Sequence, residues 1–374
     1  MRVREEVTPG LRGVPACTTA VSSIEDGVLR YRGYDIRDLV ATADFPAVTL
    51  LLWLGRWPGA AERERLDAQA RQRLPLPAPI AALLGSLPVT AAPLALLRTA
   101  LSADGALDVT AADRSESAVR DKAVTAYART AVIAGLAAAR LAGRAAPPPR
   151  PDLSREAAML WLATGAEPAP AAISALNAAL ITFAEHELNP STFAARIVAG
   201  TRADYWSTLT AAVGALAGPR HAGGFAAGTG NLLQIGSPGA VAGFLDDLPE
   251  GAVVPGFGRH KVYPGDDPRV GGMQRHAAAL CATGAGAEPD GELLLATATA
   301  LQAGMAERGV PPTAELYAGL TLHLLGFPLE AFPAVVAAAR VAGWTAHVVE
   351  QYADDVVFRP RASYAGSGPR TLPA

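Results

Sequence analysis

Apolar residues return at intervals of three and four through most of the chain, and only near the amino end does the rhythm differ. There TTAVSSI, Glu25-Asp26-Gly27 and VLRYRG place an Asp-Gly pair between two β-branched or aromatic runs, which predicts one small hairpin over residues 19–32. Beyond it the helical period takes over. Asp44 precedes PAVTLLLWLG, with a proline near the first turn, a glycine at the end and Pro58 just past it, so start and stop signals come together. Both faces of this segment are apolar, which predicts a buried helix. AVTAYARTAVIAGLAAARLAG, Ser154 ahead of REAAMLWLATG, and PAAISALNAALITFAEH read as further helices, with AAPPPRP an exposed connection between the first two. Ser237-Pro238, Asp267-Pro268 and Asp290 each stand as a cap before an apolar run, and helices are expected to about Tyr352. With no second convincing strand region and no repeat of fixed period, the expected class is all-α.

The 374 residues are 50% hydrophobic and 18% charged, enough to bury one large core or two unequal ones. Lys+Arg 32 against Asp+Glu 35 leaves a net charge of −3 without runs of one sign, which argues against a nucleic-acid footprint or a polybasic membrane patch. A small, nearly neutral partner fits better. Cys17 and Cys281 lie far apart and outside any Cys-x-x-Cys or Cys/His cluster, so neither a disulfide framework nor a structural zinc is expected. The start, MRVREEVTPG, is charged where a signal peptide needs an apolar run, and no stretch reaches the ~18 apolar residues of a membrane span. The expected location is the cytoplasm.

Three segments depart from simple core packing. In AEHELNPSTF an apolar helix ends abruptly at Glu185-His186-Glu187 before Ser191 and Thr192; in GPRHAGG, His221 sits among glycines; in PGFGRHKVY, His260 follows a glycine-rich bend and leads to Asp266-Asp267-Pro268-Arg269. Histidines on such breaks are open to ligands and can titrate or donate near neutral pH. A single histidine at a helix end is more often a cap or a structural hydrogen-bonding residue, but three in similar settings point to a site. His276, His323 and His347 fall inside helical patterns and read as packing or surface residues. His186-Glu187 begins like a His-Glu-x-x-His zinc helix, yet Pro190 stands where the second ligand belongs, so no metal is expected. Neither a P-loop, a Rossmann fingerprint nor a Gly-x-Ser-x-Gly elbow is found.

HELNPSTFAAR, GALAGPRH, PGFG followed by DPR, ARVAGWTAH and RPR, in this order, resemble the citrate synthase family, and the likeness runs from Gly10-Leu11-Arg12 to Arg359-Pro360-Arg361. The resemblance implies a two-domain helical fold: a large domain from residues 1–188 and 319–374, and a small domain from 189–318 that closes over the substrates. It implies condensation of acetyl-CoA with oxaloacetate followed by thioester hydrolysis, with acyl-CoA as co-substrate and no other cofactor. His221 would donate to the forming enol oxygen, His260 would polarise the ketone and His186 would bind the oxo acid. Arg269, Arg340 and Arg359 match the family's carboxylate-binding positions, which suits planar guanidinium groups. Arg359 would reach the partner's site in a homodimer.

The family's aspartate base, in a motif like Asn-Val-Asp-x-Tyr, is replaced here by Glu315 in Thr313-Ala314-Glu315-Leu316-Tyr317. Its extra methylene moves the carboxylate by about 1 Å, a shift that can cost about 10²-fold in rate. Where the family commonly has His-Gly-Gly-Ala-Asn-Glu, this chain has His221-Ala222-Gly223-Gly224-Phe225-Ala226, and Arg259 intrudes between Gly258 and His260. The changes at 222–226 and 315 fall toward the acyl-CoA end, while the arginines are kept. A methylcitrate synthase or a paralogue using another acyl-CoA is therefore an alternative, as is a catalytically weak binding or regulatory member marked by Glu315.

Overall fold

The computed structural model describes residues 8–11, 13–222, 224–258, 262–263 and 265–372. The hairpin forms where Asp-Gly places it. β1 (Ser22–Glu25) pairs antiparallel with β2 (Val28–Tyr31), Glu25 opposite Val28, and Asp26 and Gly27 both take positive φ, as a two-residue hairpin turn requires. A third strand, β3 (Tyr34–Asp35), adds to β2 through a second tight turn at Arg32 and Gly33, again with both φ positive. Two residues are too few to show alternation, so this strand lies outside the predicted hairpin.

The helices follow as α1 Ile36–Thr42, α2 Phe45–Leu54, α3 Ala60–Arg73, α4 Ala78–Ser86, α5 Pro93–Leu107, α6 Glu116–Leu141, α7 Arg155–Thr164, α8 Pro170–Phe183, α9 Pro190–Gly200, α10 Tyr205–Leu216, α11 Pro219–Ala222, α12 Gly224–Ile235, α13 Val241–Asp246, α14 Val270–Ala282, α15 Gly291–Glu307, α16 Ala314–Leu324 and α17 Phe332–Asp354. α2 starts and stops as read: the Asp44 carboxylate accepts from the Ala47 N–H (2.7 Å), Gly55 closes the helix in the left-handed region, and Ala47 to Trp53 are buried. α7 does the same with Ser154 and Gly165. α3 to α5 carry weaker local signals. α3 buries only Leu66 and Ala70 among its charged residues, α4 follows Pro77 and α5 begins at Pro93, both without a side-chain cap. Three expected caps differ in detail. Ser237 and Asp290 occupy cap positions but their side chains make no cap bond, and α14 begins at Val270, behind Arg269 rather than Asp267.

α17 is the axis of the larger packing group. It touches α2, α5, α6, α8, α9 and α10, and its residues from Ala334 to Val348 are buried throughout. Residues 329–354 are long and apolar enough to cross a membrane, but 89% of the apolar window is buried inside this fold, so its hydropathy is that of a core helix. α6 packs closely on α7 at Gly135, where a Cβ would stand 2.7 Å from Leu162 Cβ. α12 to α16 form a second group, and α14 and α16 of it rest on α8. α9 and α10, the first helices of the expected 189–318 unit, pack on α17, with α10 also against α5. Cys17 and Cys281 are free thiols.

Candidate active site

The break between α8 and α9 is built from turn chemistry. Glu187 takes a positive φ, Asn189 caps α9 by accepting from the Thr192 N–H (3.2 Å), and Pro190 fills the first helical position. The turn leaves His186 and Ser191 buried. His186 Nε2 lies 2.8 Å from the Tyr263 hydroxyl, the two rings perpendicular. Ser191 Oγ stands 2.9 Å from His221 Nε2 and accepts from the Trp344 indole N–H of α17 (3.2 Å). The Ser191 backbone N–H also points at His221 Nε2 (3.3 Å). A backbone N–H can only donate, so Nε2 carries the lone pair and the imidazole proton resides on Nδ1. Burial, reinforced by the nearby Arg340 charge, lowers the His221 pKa to about 4, which keeps the ring neutral near pH 7.

Two guanidinium groups stand with these rings, in different states. Arg269 is paired bidentately with Asp267 (Nε to Oδ1 2.9 Å, Nη2 to Oδ2 2.8 Å) and lies 5.7 Å from the Tyr263 ring centre. Burial opposes the Arg269 charge, but Asp267 outweighs it and the pKa ends above the ordinary value. Asp267 Oδ2 also accepts from the Ala314 N–H (3.0 Å), which ties this pair to the first turn of α16. Arg340, 6% exposed, donates from Nε to the Phe183 carbonyl (2.8 Å), while its Nη1 is buried with no hydrogen-bond partner among the described residues. Burial pushes its pKa down, and Glu185 acts against that shift.

Glu315 follows Ala314 on α16. Burial raises its carboxyl pKa, Asp267 adds to the rise, and Arg269 and Arg340 oppose it. The Pro255–Gly258 bend is fastened beside it: the Gly258 N–H donates to the Pro311 carbonyl (2.9 Å), the Thr313 N–H to the Gly256 carbonyl (2.9 Å), and Phe257 bridges Pro312. Gly256 has φ +86°, a left-handed conformation that favours glycine, and it packs directly against Leu316.

His186, His221, Arg269, Arg340 and Glu315 are thus joined through hydrogen bonds or mutual electrostatic fields. His260 and the intruding Arg259 lie outside the described residues. Arg359 is exposed on the carboxy-terminal segment, donating to the Pro360 carbonyl (2.9 Å), and no described contact joins it to the others. Ser191, Tyr263, Asp267 and Trp344 are site neighbours to which the sequence assigned no site role, although each lies in a segment already singled out. His347 is more than packing: with Ser22 it donates to Glu185, and its ring meets the fully buried Arg196, which also holds Gln351 and Glu350. Among the described residues no group of three His, Cys, Asp or Glu side chains is placed to hold a metal ion.

A family model described as citrate synthase, C-terminal domain, matches residues 10–361. The chain is 36% identical to 2-methylcitrate synthase 2 of Corynebacterium glutamicum, covering 98% of this chain and 97% of the relative, and 36% identical to citrate synthase 2 of Bacillus subtilis, covering 96% of each. Its fold superposes with TM-score 0.88 on the Thermoplasma acidophilum citrate synthase, whose structure holds carboxymethyl coenzyme A and oxaloacetate, at 28% identity over 98% of both chains. The Pyrobaculum aerophilum citrate synthase gives TM-score 0.87 at 30% identity over 97% of this chain and 94% of that one. With its sequence and fold in agreement over nearly the whole length, the chain belongs to the citrate synthase family, acyltransferases that condense an acyl-CoA with oxaloacetate.

Proposed function

We propose that this protein joins the α-carbon of an acyl-CoA, most simply acetyl-CoA, to the ketone carbon of a 2-oxo dicarboxylic acid, most simply oxaloacetate, and then hydrolyses the thioester. Glu315 takes the α-proton, and His221 Nδ1–H donates to the oxygen of the forming enol. A neutral imidazole suits that task, because its donor strength is closer to the weakly acidic enol than that of a cation. The enol carbon attacks the ketone, His260 supplies the proton to the ketone oxygen, and water cleaves the thioester to release free CoA thiol. Arg340 and Arg269 hold substrate carboxylates and His186 binds the oxo acid. The group α12 to α16 closes over both substrates and excludes water.

The observation that carries this reading is the buried Arg340 Nη1, which has no hydrogen-bond partner among the described residues and lies in electrostatic reach of both His221 and Glu315. A buried cation is costly unless something pairs with it, and a substrate carboxylate is the natural complement. The decisive assay follows thiol release from a panel of acyl-CoAs with oxaloacetate. Turnover falling about 10²- to 10⁴-fold in Glu315→Gln supports Glu315 as base, and unchanged turnover refutes it. A second reading, an acyl-CoA one carbon longer, has support from a relative named for 2-methylcitrate that is as similar to this chain, at 36% identity, as one named for citrate. Thiol release absent from every pair tried would leave the binding or regulatory alternative.

The working unit in this reading is a homodimer with Arg359 reaching the partner's site, located in the cytoplasm. Support for the dimer comes from α10, whose outward residues Thr210, Ala211, Gly214 and Ala215 are small, and a Cβ on Gly214 meets nothing within 4 Å in the single chain. The exposed tail, with Val356, Val357 and Tyr364 uncovered, is a second support.

A further inference from the structure

Gly224 opens α12 directly across from the Glu315 carboxylate. A Cβ at this position would stand 2.5 Å from Glu315 Oε2, 3.3 Å from Cδ and 3.6 Å from Oε1. The backbone does not require glycine there, since Gly224 is helical and is not among the residues with positive φ. In a helix glycine is disfavoured by about 1 kcal/mol against alanine. Something other than local conformation therefore accounts for it. The quoted family motif has alanine at this place and aspartate at the place of Glu315, so this chain has one methylene more on one side of the contact and one methyl less on the other.

We propose that Gly224 is a positioning residue whose missing side chain makes room for the longer glutamate base, so that the pair Gly224–Glu315 places a carboxylate where alanine and aspartate would place one in the usual arrangement. The inference rests on Glu315 being the base. The atoms nearest the added Cβ belong to the end of a flexible side chain, so the carboxylate would swing aside at small cost to the fold. A carbon and an oxygen need about 3.2 Å, so the swing is on the order of 0.7 Å, enough to lower the rate of proton abstraction by about 10- to 10²-fold.

The test is a double-mutant cycle on the full-length protein with oxaloacetate and the acyl-CoA that wild type turns over best. Gly224→Ala is expected to melt no lower than wild type, to keep KM for oxaloacetate within about threefold, and to lose about 10- to 10²-fold in kcat. Glu315→Asp alone also loses rate, because its carboxylate falls short. The double variant Gly224→Ala/Glu315→Asp is expected to recover at least about tenfold over Gly224→Ala. A Gly224→Ala variant with kcat within about twofold of wild type, or a double variant whose loss is the product of the two single losses, overturns the proposal, as does a loss of fold that Glu315→Asp does not rescue. Glu315→Gln keeps the two readings apart: full turnover in that variant removes Glu315 as base, whereas additive behaviour in the cycle removes only the role of Gly224.

Discussion

Replacing Arg340 by methionine separates what the guanidinium does for the fold from what it does for substrate. In the empty protein the substitution removes a buried donor that has no partner among the described residues, a gain of about 1–3 kcal/mol, and it removes the charged Nε bond to the Phe183 carbonyl, a loss of about 1.5–3 kcal/mol. Losing the attraction to Glu185 tilts the balance slightly further toward loss. The net change is therefore within about 2 kcal/mol of zero. At about 2.1 cal/mol/K per residue, 374 residues unfold with an entropy of about 0.8 kcal/mol/K, so the melting temperature moves by no more than about 3 °C. Oxaloacetate at a hundred times its Kd stabilises wild type by about 2.7 kcal/mol, or about 3.4 °C. Loss of one bidentate carboxylate contact weakens binding by about 10²-fold or more, after which the same concentration yields about 0.4 kcal/mol, a shift of about 0.5 °C. Paired thermal melts with and without oxaloacetate read both numbers. An Arg340→Met protein that keeps a ligand shift above about 2 °C, or that melts more than about 5 °C lower when empty, refutes the assignment of Nη1 to substrate.

Glu315 sets both activity and stability against pH. Its pKa is raised, so kcat/KM climbs through a limb above the ordinary glutamate value of 4.5, and Glu315→Gln abolishes that limb in a pH–rate profile. A raised carboxyl pKa means the folded state binds the proton more tightly. Its contribution is therefore full below the unfolded pKa and is lost as pH rises through the folded one, so Glu315→Gln melts higher than wild type at pH 8 and the gap closes below about pH 4.5. Gly343→Ala places a Cβ 2.2 Å from Glu185 Oε2 and 2.5 Å from the Ala184 carbonyl, which lowers stability in a denaturant melt by about 1–3 kcal/mol, whereas Gly239→Ala, with nothing within 4 Å, stays within about 0.5 kcal/mol of wild type. If Arg359 acts across a dimer, randomly reassembled mixtures of Arg359→Ala and Glu315→Gln chains regain about a quarter of wild-type activity, because half the dimers are mixed and each holds one intact site. No gain on mixing places Arg359 outside the partner's site.

What was legible in the sequence was local. Asp-Gly fixed the hairpin turn, and Asp44 with Gly55, or Ser154 with Gly165, bounded α2 and α7, because those contacts join residues a few positions apart. α3 escaped since a helix of charged residues with two buried positions has no apolar stripe to read. Asp267 shows the limit best. It does not cap α14, which begins behind Arg269; its carboxylate accepts instead from the Arg269 N–H two residues on. The decisive partner is the Ala314 N–H, 47 residues away, which brings Arg269 to the helix of Glu315, and no spacing rule reports that. Ser191 likewise meets His221 across 30 residues.

Arg340 combines both kinds of information. A lone arginine within VVAAARVAGW must, by its neighbours, be buried on nearly every side, and a buried guanidinium needs carbonyls or carboxylates around it. Among the described residues the Phe183 carbonyl accepts from Nε, and none pairs with Nη1. Asp267, the carboxylate that could have neutralised a neighbouring cation, is already taken in both oxygens by Arg269 and also by the Ala314 N–H. Of the two guanidinium groups in this site, one is already anchored on a protein carboxylate and the other has an Nη1 with no partner among the described residues, and that inequality, more than the number of charges, marks where an anionic substrate completes the structure.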